Sequence, residues 1–334
     1  MEEVKQMNQE QNVQVCSYIR RDGTHCPEAR FDNSVFCFWH DPQVDKSGKD
    51  VKEKLEGKVK RDANCEGYKL EKAELHEVWL TETNFNDAVF RRANLTRSHM
   101  FGISLCGADL FKTHLSSANL RHANLTRANL IGTILEGAKL ANIEWGHKGI
   151  VLQEIEADQA HKSGDHQTAK THYKDAEEVY IALKTHFDGI GQSKMVGLFF
   201  YREMIVHRKQ LPLFSSPRFF SKLADISCGY GEKVLNILLF SLGVIFFYAF
   251  VFGFLGTNSS SGIIKFSLSK GIWGNYETYI NVLYMSSITY TTCGYGDITP
   301  VTLTGKMCAG SEAFIGAFLM ALFVIAVYKT LMDR

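Results

Sequence analysis

The sequence lacks a charge bias, a secretory leader and a disulfide framework. Its 334 residues carry 37 Lys and Arg against 36 Asp and Glu, so the formal net charge is +1. This balance gives no global preference for nucleic acid or for acidic partners. The N-terminal stretch MEEVKQMNQEQNVQV has no apolar core, and of the eight cysteines only three cluster, near the N-terminus. We therefore expect the N-terminal part to stay in a reducing cytoplasm.

A catalytic constellation is also missing from the sequence. It contains no phosphate-binding loop and no Ser/His/Asp grouping, and its cysteine-rich cluster has the spacing of a closed metal site. The sequence therefore predicts that the protein is not an enzyme.

Two long apolar runs lie in the last third of the chain. Val234–Phe254 contains no charged residue, and Met307–Tyr328 contains only Glu312. Each run is long enough to cross about 30 Å of hydrocarbon as a helix. We predict transmembrane helices at residues 234–254 and 306–331 of a membrane protein with several domains.

Basic residues flank the two predicted spans. Those outside the intervening loop are Arg218, Lys222, Lys233, Lys329 and Arg334. The positive-inside rule therefore predicts a multi-pass protein of the cell membrane with both termini in the cytoplasm. Lys265, Lys270 and Lys306, in the outer loop, weaken this orientation without reversing it.

A third apolar segment, residues 276–290, is too short to span the membrane. It reads as a re-entrant helix, which is tolerated only when protein surrounds it. The stretch Thr292–Asp297, TCGYGD, follows and completes a segment at 276–297. Its glycines accept backbone angles that other residues avoid, so successive carbonyls can point the same way. Four such segments around an axis would form stacked oxygen rings that replace the water shell of an ion.

Residues 217–334 resemble the two-transmembrane pore domain of potassium channels. The resemblance rests on the order of four features: a span, a short helix, the motif T-x-G-Y-G-D and a second span. The resemblance implies an all-α homotetrameric pore that conducts K⁺, with a hinge at Gly316. The residues implied to form the conducting filter are Thr292, Cys293, Gly294, Tyr295, Gly296 and Asp297.

The sequence departs from that family at two places. Cys293 replaces the usual Val or Ile, and Tyr284 and Met285 stand where voltage-gated relatives carry paired Trp residues. The second departure leaves Asp297 without its usual donor. A weakly selective cation channel stays open as an alternative function.

Glu312 is an acid within the second apolar run. An ionisable residue at this depth is costly and suggests a functional site. Two interpretations stay open: a hydrogen-bonded Glu packed behind the pore helix, or a pore-facing charge that concentrates cations.

The tetrapeptide CGYG occurs a second time at Cys228–Gly231, upstream of the first span. Residues 217–228 before it place Phe219, Phe220 and Leu223 on one face, which predicts an interfacial helix. Gly229 and Gly231 then allow a sharp turn into the membrane. We interpret residues 217–231 as an interfacial helix with a gating hinge, and not as a second filter.

A five-residue repeat extends over residues 66–145. An apolar residue, most often Leu, recurs at every fifth position from Leu70 to Leu140, and a small residue usually stands two positions before it. A fixed repeat indicates a solenoid. The pattern A-N-L-x-x resembles the pentapeptide-repeat family, which implies a right-handed quadrilateral β-helix with four units per coil.

The resemblance to pentapeptide repeats says little about function. Residues 60–145 hold eleven Lys or Arg against ten Asp or Glu, which argues against the acidic surface that DNA mimicry needs. We expect a rigid spacer or a surface for a cytoplasmic protein or ligand. A membrane-anchored adaptor that uses this surface is the second alternative function.

A potential metal site lies upstream of the repeats, in residues 1–45. Cys16, Cys26, Cys37 and His40 have the spacing C-x9-C-x10-C-x2-H, a ligand set typical of tetrahedral zinc. The arrangement resembles the zinc knuckle of plant WRC domains, which implies a structural Zn²⁺. His25 could replace a ligand, but the spacing favours His40. We expect no nucleic-acid binding, because the knuckle lacks a basic stripe. Residues 46–65 read as a linker.

Residues 151–210 show apolar spacings typical of helices, interrupted by DGIGQ at 188–192. We predict an α-helical hairpin that couples the solenoid to the pore. No voltage-sensor Arg repeat is present, so the gating input must come from the N-terminal side, from the membrane or from pH. Our hypothesis is that the N-terminal side gates the pore, through residues 217–228 and Gly316.

Overall fold

The structure is a computed structural model that describes residues 15–260, 262–267 and 271–332. The chain forms two compact units: Met1–Gly191 with Ile205–Gln210, and Gln192–Met204 with Leu211–Arg334. The first residues of the predicted knuckle and the flanking charges Lys270 and Arg334 lie outside the described residues.

The first unit is built on a solenoid with a repeat of twenty residues. Parallel β-bridges join residues twenty positions apart, from Asn64–Asn84 to Asn124–Glu144. Backbone hydrogen bonds connect the same neighbouring coils, as in Leu70 N to Val89 O at 2.7 Å and Leu80 N to His99 O at 2.8 Å. Each coil therefore contains four five-residue units.

The apolar residues of the five-residue repeat form the interior of this solenoid. The central apolar residues from Leu70 to Leu120 are fully buried, as are the small residues Ala93 and Ala108. A residue with positive φ recurs at five-residue intervals along the turns, for example Lys72 and Glu77. Only one side-chain position in five needs to be large and apolar, which explains why polar residues surround each Leu.

Helix α1, Asp50–Val59, lies in the segment that we expected to be a linker. Val51 and Leu55 on one of its faces are buried. The Glu56 carboxylate accepts a hydrogen bond from the backbone N–H of Trp79 at 3.0 Å. This segment therefore packs on the first coils, because its apolar residues repeat at helical spacing.

Two further helices of the first unit, α2 at Leu152–Lys162 and α3 at His166–Gly189, follow the solenoid. The Asp165 carboxylate accepts from Thr168 N and caps α3. The region 151–210 therefore contains a break at residues 163–165 in addition to the expected break near 190. Together with α4, Ser193–Gln210, it has three helices and is not a simple hairpin.

In the second unit, the described helices after Leu211 are α5 at Ser216–Cys228, α6 at Val234–Leu255, α7 at Gly271–Tyr290 and α8 at Leu303–Met332. Gln192 and the first part of α4, up to Met204, also belong to this unit. Helix α7 begins five residues earlier than the predicted pore helix. It packs against α6 and α8 around a core formed by Ala249, Phe252, Val282, Met285 and Ile298.

A small antiparallel sheet joins the ends of these helices. Its strands are β1 at Thr257–Ser259, β2 at Gly262–Ile264 and β3 at Ile298–Pro300, in the order β2–β1–β3. Thr257 pairs with Pro300 and Ser259 with Ile298. The sheet therefore ties the segment that follows TCGYGD to the C-terminal end of α6.

Candidate functional site

The predicted filter, residues 292–297, lies between the end of α7 and strand β3. The amide of Thr292 donates to Thr289 O at 3.0 Å, and the amide of Gly294 donates to Ile288 O at 3.2 Å. These bonds fold the start of the segment back onto the last turn of α7. The segment is thus held at both ends, by a helix and by a sheet.

The backbone of this segment alternates in handedness. Thr292, Gly294 and Gly296 have φ values of 59°, 52° and 80°, whereas Cys293 and Tyr295 lie outside the positive-φ region. Positive φ is uncommon for a residue other than glycine, as at Thr292. Alternating handedness points successive carbonyls the same way, which is the arrangement needed for a row of ion ligands.

The side chains of residues 291–297 are all exposed in the single chain, and Tyr295 is 74% exposed. The thiol of Cys293 is likewise accessible. The Tyr284 side chain lies close to Asp297. Tyr284 is therefore the side chain near Asp297 at the position where voltage-gated channels carry paired Trp residues.

Glu312 is completely buried. Its Oε1 accepts from the Ser286 hydroxyl on α7, and Ser286 Oγ also lies 2.8 Å from Ile245 O on α6. Glu312 Oε2 has no hydrogen-bond partner among the described residues. Glu312 therefore lies between α6, α7 and α8, and its role stays a prediction.

Gly316 stands in the middle of α8, which runs without a break from Leu303 to Met332. A Cβ atom at this position would collide with the carbonyl group of Tyr290, whose carbon would be 2.9 Å away. The close approach of α8 to the end of α7 therefore requires glycine here. The hinge role of Gly316 stays a prediction.

The upstream CGYG copy ends α5 and starts a short 3₁₀ turn. Gly229, Tyr230 and Gly231 all have positive φ, at 54°, 56° and 88°. The turn reverses the chain before α6 begins at Val234. This copy is not preceded by a pore helix, and its role as a gating hinge stays a prediction.

The four predicted metal ligands lie together. One ligand atom from each of Cys16, Cys26, Cys37 and His40 falls within 4.8 Å of all the others, and all four residues are buried. The His40 Nδ1 atom is 3.5 Å from Cys16 Sγ and 3.2 Å from Cys37 Sγ, and the Cys26 and Cys37 sulfurs are 4.0 Å apart. A tetrahedral zinc with Zn–S bonds of about 2.3 Å needs S–S edges near this length.

The surroundings of the cluster favour metal binding. The hydrogen bond between the Cys26 and Cys37 sulfurs lowers the pKa of Cys26 and raises the pKa of Cys37, so the pair shares one proton, and Cys26 is the thiolate that an ion would meet first. His40 Nε2 lies 2.8 Å from Glu66 O, which leaves Nδ1 for an ion. His25 is not part of the cluster.

Sequence reasoning missed the residues that fasten this cluster to the solenoid. The Glu66 carboxylate accepts from Arg21 N at 2.6 Å. Tyr18 stacks on His40 with ring centroids 3.9 Å apart, and Trp39 stacks on Tyr68 of the first coil. The aromatic composition of CSYIRRDG and CFWH was the only available signal. The cluster thereby covers the N-terminal end of the solenoid.

Two families match separate parts of the chain. Residues 242–333 match a family described as ion channel. Residues 61–97, 69–105 and 104–142 match pentapeptide repeats, in eight copies. The chain is a fusion of pentapeptide repeats and an ion-channel pore domain. Neither family consists of enzymes.

The pore domain of this fusion contains two helices, Val234–Leu255 and Leu303–Leu331, that are long and apolar enough to cross a membrane. Together with the ion-channel match, they identify a membrane protein. The predicted spans at 234–254 and 306–331 fall inside these helices.

Solved pentapeptide repeat proteins are similar to part of the fusion. One from Nostoc Pcc 7120 is 30% identical, with a TM-score of 0.26, and the match covers 29% of this chain and 79% of that protein. Rfr23 from the cyanobacterium Cyanothece 51142 is 31% identical, with a TM-score of 0.16 and coverage of 24% and 55%. HetL, from Nostoc sp. strain PCC 7120 and involved in heterocyst differentiation regulation, is 33% identical, with a TM-score of 0.17 and coverage of 27% and 40%.

Proposed function

We propose that this protein is a potassium channel. The observation that carries the proposal is the alternating backbone of residues 292–297, which can present Thr292, Cys293, Gly294 and Tyr295 carbonyls to a dehydrated K⁺ ion. The ion-channel match over 242–333 supports the same function. Gly296 and Asp297 form the outer mouth, with the Tyr284 side chain close to Asp297.

The pore requires four copies of the chain. One chain supplies only one wall of carbonyls, and rings of ligands arise when identical segments surround an axis. The exposed side chains of residues 291–297 and apolar residues of α8 such as Phe314 and Phe318 would then be covered by neighbouring copies or lipid. Closed fourfold symmetry explains how one filter segment per chain is enough.

In the cell membrane, α6 and α8 span the bilayer, and α7 is a re-entrant pore helix whose surroundings are protein. Both termini lie in the cytoplasm, as the basic flanks indicate. Helix α5 lies in the interface: Phe219 and Phe220 are about two-thirds exposed, at 66% and 65%, on the face that contacts lipid.

The cytoplasmic half is a rigid assembly. The solenoid has the right-handed, four-sided form that its twenty-residue coils support. Cys16, Cys26, Cys37 and His40 hold a structural Zn²⁺, which supplies folding energy and has no open position for catalysis. The solenoid surface serves as a contact site for a cytoplasmic protein or ligand, with no role in nucleic-acid binding.

This N-terminal half gates the pore. Helix α5 and the turn at Gly229 and Gly231 transmit its movement to the inner helix α8. Removal of residues 1–150 tests the idea, because a channel whose open probability is unchanged in single-channel records would contradict it.

Selectivity is tested with the purified full chain in planar bilayers, with potassium on one side and sodium on the other. We expect a reversal potential near the potassium limit. Gly294→Val should abolish the current, because a β-branched residue does not tolerate its φ of 52°. Cys293→Val is the matched control that restores the usual filter residue and should preserve the current.

The alternatives give other results. A reversal potential near zero that moves to the potassium limit in Cys293→Val identifies a weakly selective cation channel. Absence of current from both the full chain and the chain without its N-terminal half identifies a membrane-anchored adaptor.

A further inference from the structure

Within the second unit, the C-terminal end of α8 is tied to the turn after the upstream CGYG copy. The Lys329 ammonium forms an ion pair with the carboxylate of Glu232, 97 residues earlier in the chain. The side chains are only 39% and 16% exposed, respectively. A buried cluster adjoins the pair: Cys228, Ile237 and Ala326, with Val234, Leu322 and Phe323 packed against them. The pair therefore belongs to a packed contact and is not a loose surface bridge.

Helix α4 also contacts the turn that contains Glu232. Gly197 is buried, and a Cβ atom there would collide with the carboxylate of Glu232, whose Cδ would lie 3.0 Å away. One turn further along α4, the Tyr201 hydroxyl donates to Asp225 Oδ1 at 3.0 Å and accepts from Lys233 Nζ at 2.7 Å. Lys233 Nζ also lies 3.9 Å from the centre of the Tyr201 ring. The Glu232 carboxylate thus contacts the first part of α4 and is also paired with Lys329.

The last residues of the same helix are anchored in the first unit. Lys209 Nζ lies 3.2 Å from Glu154 Oε1 and 2.7 Å from Asp158 Oδ1 on α2. His207 and Gln210 both contact the Glu177 carboxylate on α3. Residues 193–204 of α4 belong to the second unit and 205–210 to the first, and each part makes its polar contacts within its own unit.

We infer that Glu232 and Lys329 are positioning residues for gating: α4 acts on the C-terminal end of α8 through this ion pair. The inference rests on the proposed channel function and names the contact that carries the gating signal. A shift of α4 moves the Glu232 carboxylate, because this carboxylate lies directly against the backbone of Gly197, where even a Cβ atom would overlap it. Lys329 follows its partner, and the inner helix moves at the end opposite to the filter.

The test is a charge swap in the full chain, recorded as single channels in symmetric potassium. Glu232→Lys and Lys329→Glu should each change the open probability at least about 3-fold, in the same direction, since an interaction specific to one gating state biases the equilibrium. The double variant should return to within about 2-fold of the unaltered channel. Conductance and reversal potential should stay constant, because Lys329 lies in the last turn of α8, at the end opposite to residues 292–297.

Matched controls separate this role from general electrostatics and from folding. Glu77→Lys breaks an exposed ion pair with Arg97 on the solenoid and should leave the open probability unchanged. Gly197→Ala displaces Glu232 without changing any charge and should shift the open probability in the same direction as Glu232→Lys. Gly243→Ala, in open space on α6, should not. If the single charge variants fail to assemble by gel filtration, the Gly197→Ala and Gly243→Ala comparison decides.

Unchanged open probability in the assembled single variants, or a double variant that does not recover, overturns the inference while the channel function stands. A full chain that passes no current overturns the proposed function instead. In that case hydrogen exchange decides the coupling: Lys209→Ala should alter protection of residues 322–330 in the natural chain but not in Lys329→Glu. Equal responses in both chains overturn the inference.

Discussion

At the residue scale, the informative glycines are those that permit a close approach. Gly316 and Gly197 both lie inside helices, so neither glycine is needed for a turn. At both positions a Cβ atom would collide with a neighbouring group. Helix propensity alone would favour alanine at such positions. The glycines therefore report packing between elements and not local flexibility.

Gly316→Ala should destabilise the pore unit. The new methyl group meets the Tyr290 carbonyl at the end of α7, and overpacking of this kind costs about 1–3 kcal/mol. We expect a lower melting temperature of the detergent-solubilised protein by intrinsic fluorescence. Gly310→Ala, on the same helix but in open space, is the control and should be neutral or slightly stabilising. Equal melting temperatures for the two variants would contradict the packing role.

The metal cluster gives a second prediction at this scale. His40→Ala should reduce the zinc content of the purified chain from one ion to well below one, because it removes one of four ligands. His25→Ala should retain the full content, since His25 lies outside the cluster. Elemental analysis by mass spectrometry measures both. A loss of zinc in His25→Ala alone would reverse the ligand assignment.

At the element scale, α4 and its attachment to α2 respond to acid. Burial alone would raise the pKa of Asp158, but hydrogen bonds from Lys209 and Tyr173 outweigh it and hold the pKa below the ordinary value of 3.8. A depressed pKa stabilises the fold above the unfolded-state pKa, and this contribution is lost as the pH falls through the folded-state pKa.

We therefore expect the melting temperature of the first unit to be steady near neutral pH and to fall below about pH 4, where Asp158 takes up a proton. Asp158→Asn should be less stable at neutral pH and should lose part of this acid sensitivity. Circular dichroism of the full chain at pH 3 and pH 6 measures both effects. An unchanged difference between the two pH values in Asp158→Asn would show that other carboxylates account for it.

Elements with local sequence signals were predictable, and contacts between distant residues were not. The pentapeptide beat is confirmed by the family match, and the TCGYGD motif identified the ion-channel domain. Helix α1 escaped notice because its few apolar residues lie among charges. Glu66 carried no signal, since its carbonyl and carboxylate act on residues far away in the sequence. The Glu232–Lys329 pair likewise depends on packing that no local pattern encodes.

At the scale of the whole molecule, the proposed pore has a stoichiometric consequence. Co-expression of equal amounts of the natural chain and Gly294→Val should leave about one-sixteenth of the current that the same total amount of natural chain carries. This fraction follows if four intact segments are needed and subunits mix at random. Co-expression with Gly310→Ala should leave the current unchanged. Macroscopic potassium currents in whole cells measure the residual fraction. A residual of one-half would mean that each chain conducts on its own.

The twenty-residue period makes the height of the solenoid a quantity that evolution can adjust in steps. Insertion of four pentapeptides adds one coil, about 4.8 Å of height, and returns every side to its original direction. Insertion of a single pentapeptide instead shifts each later five-residue unit by one position within the coil. Repeat number in multiples of four therefore sets the height of the solenoid, and the remainder sets which side of the coil each later unit occupies.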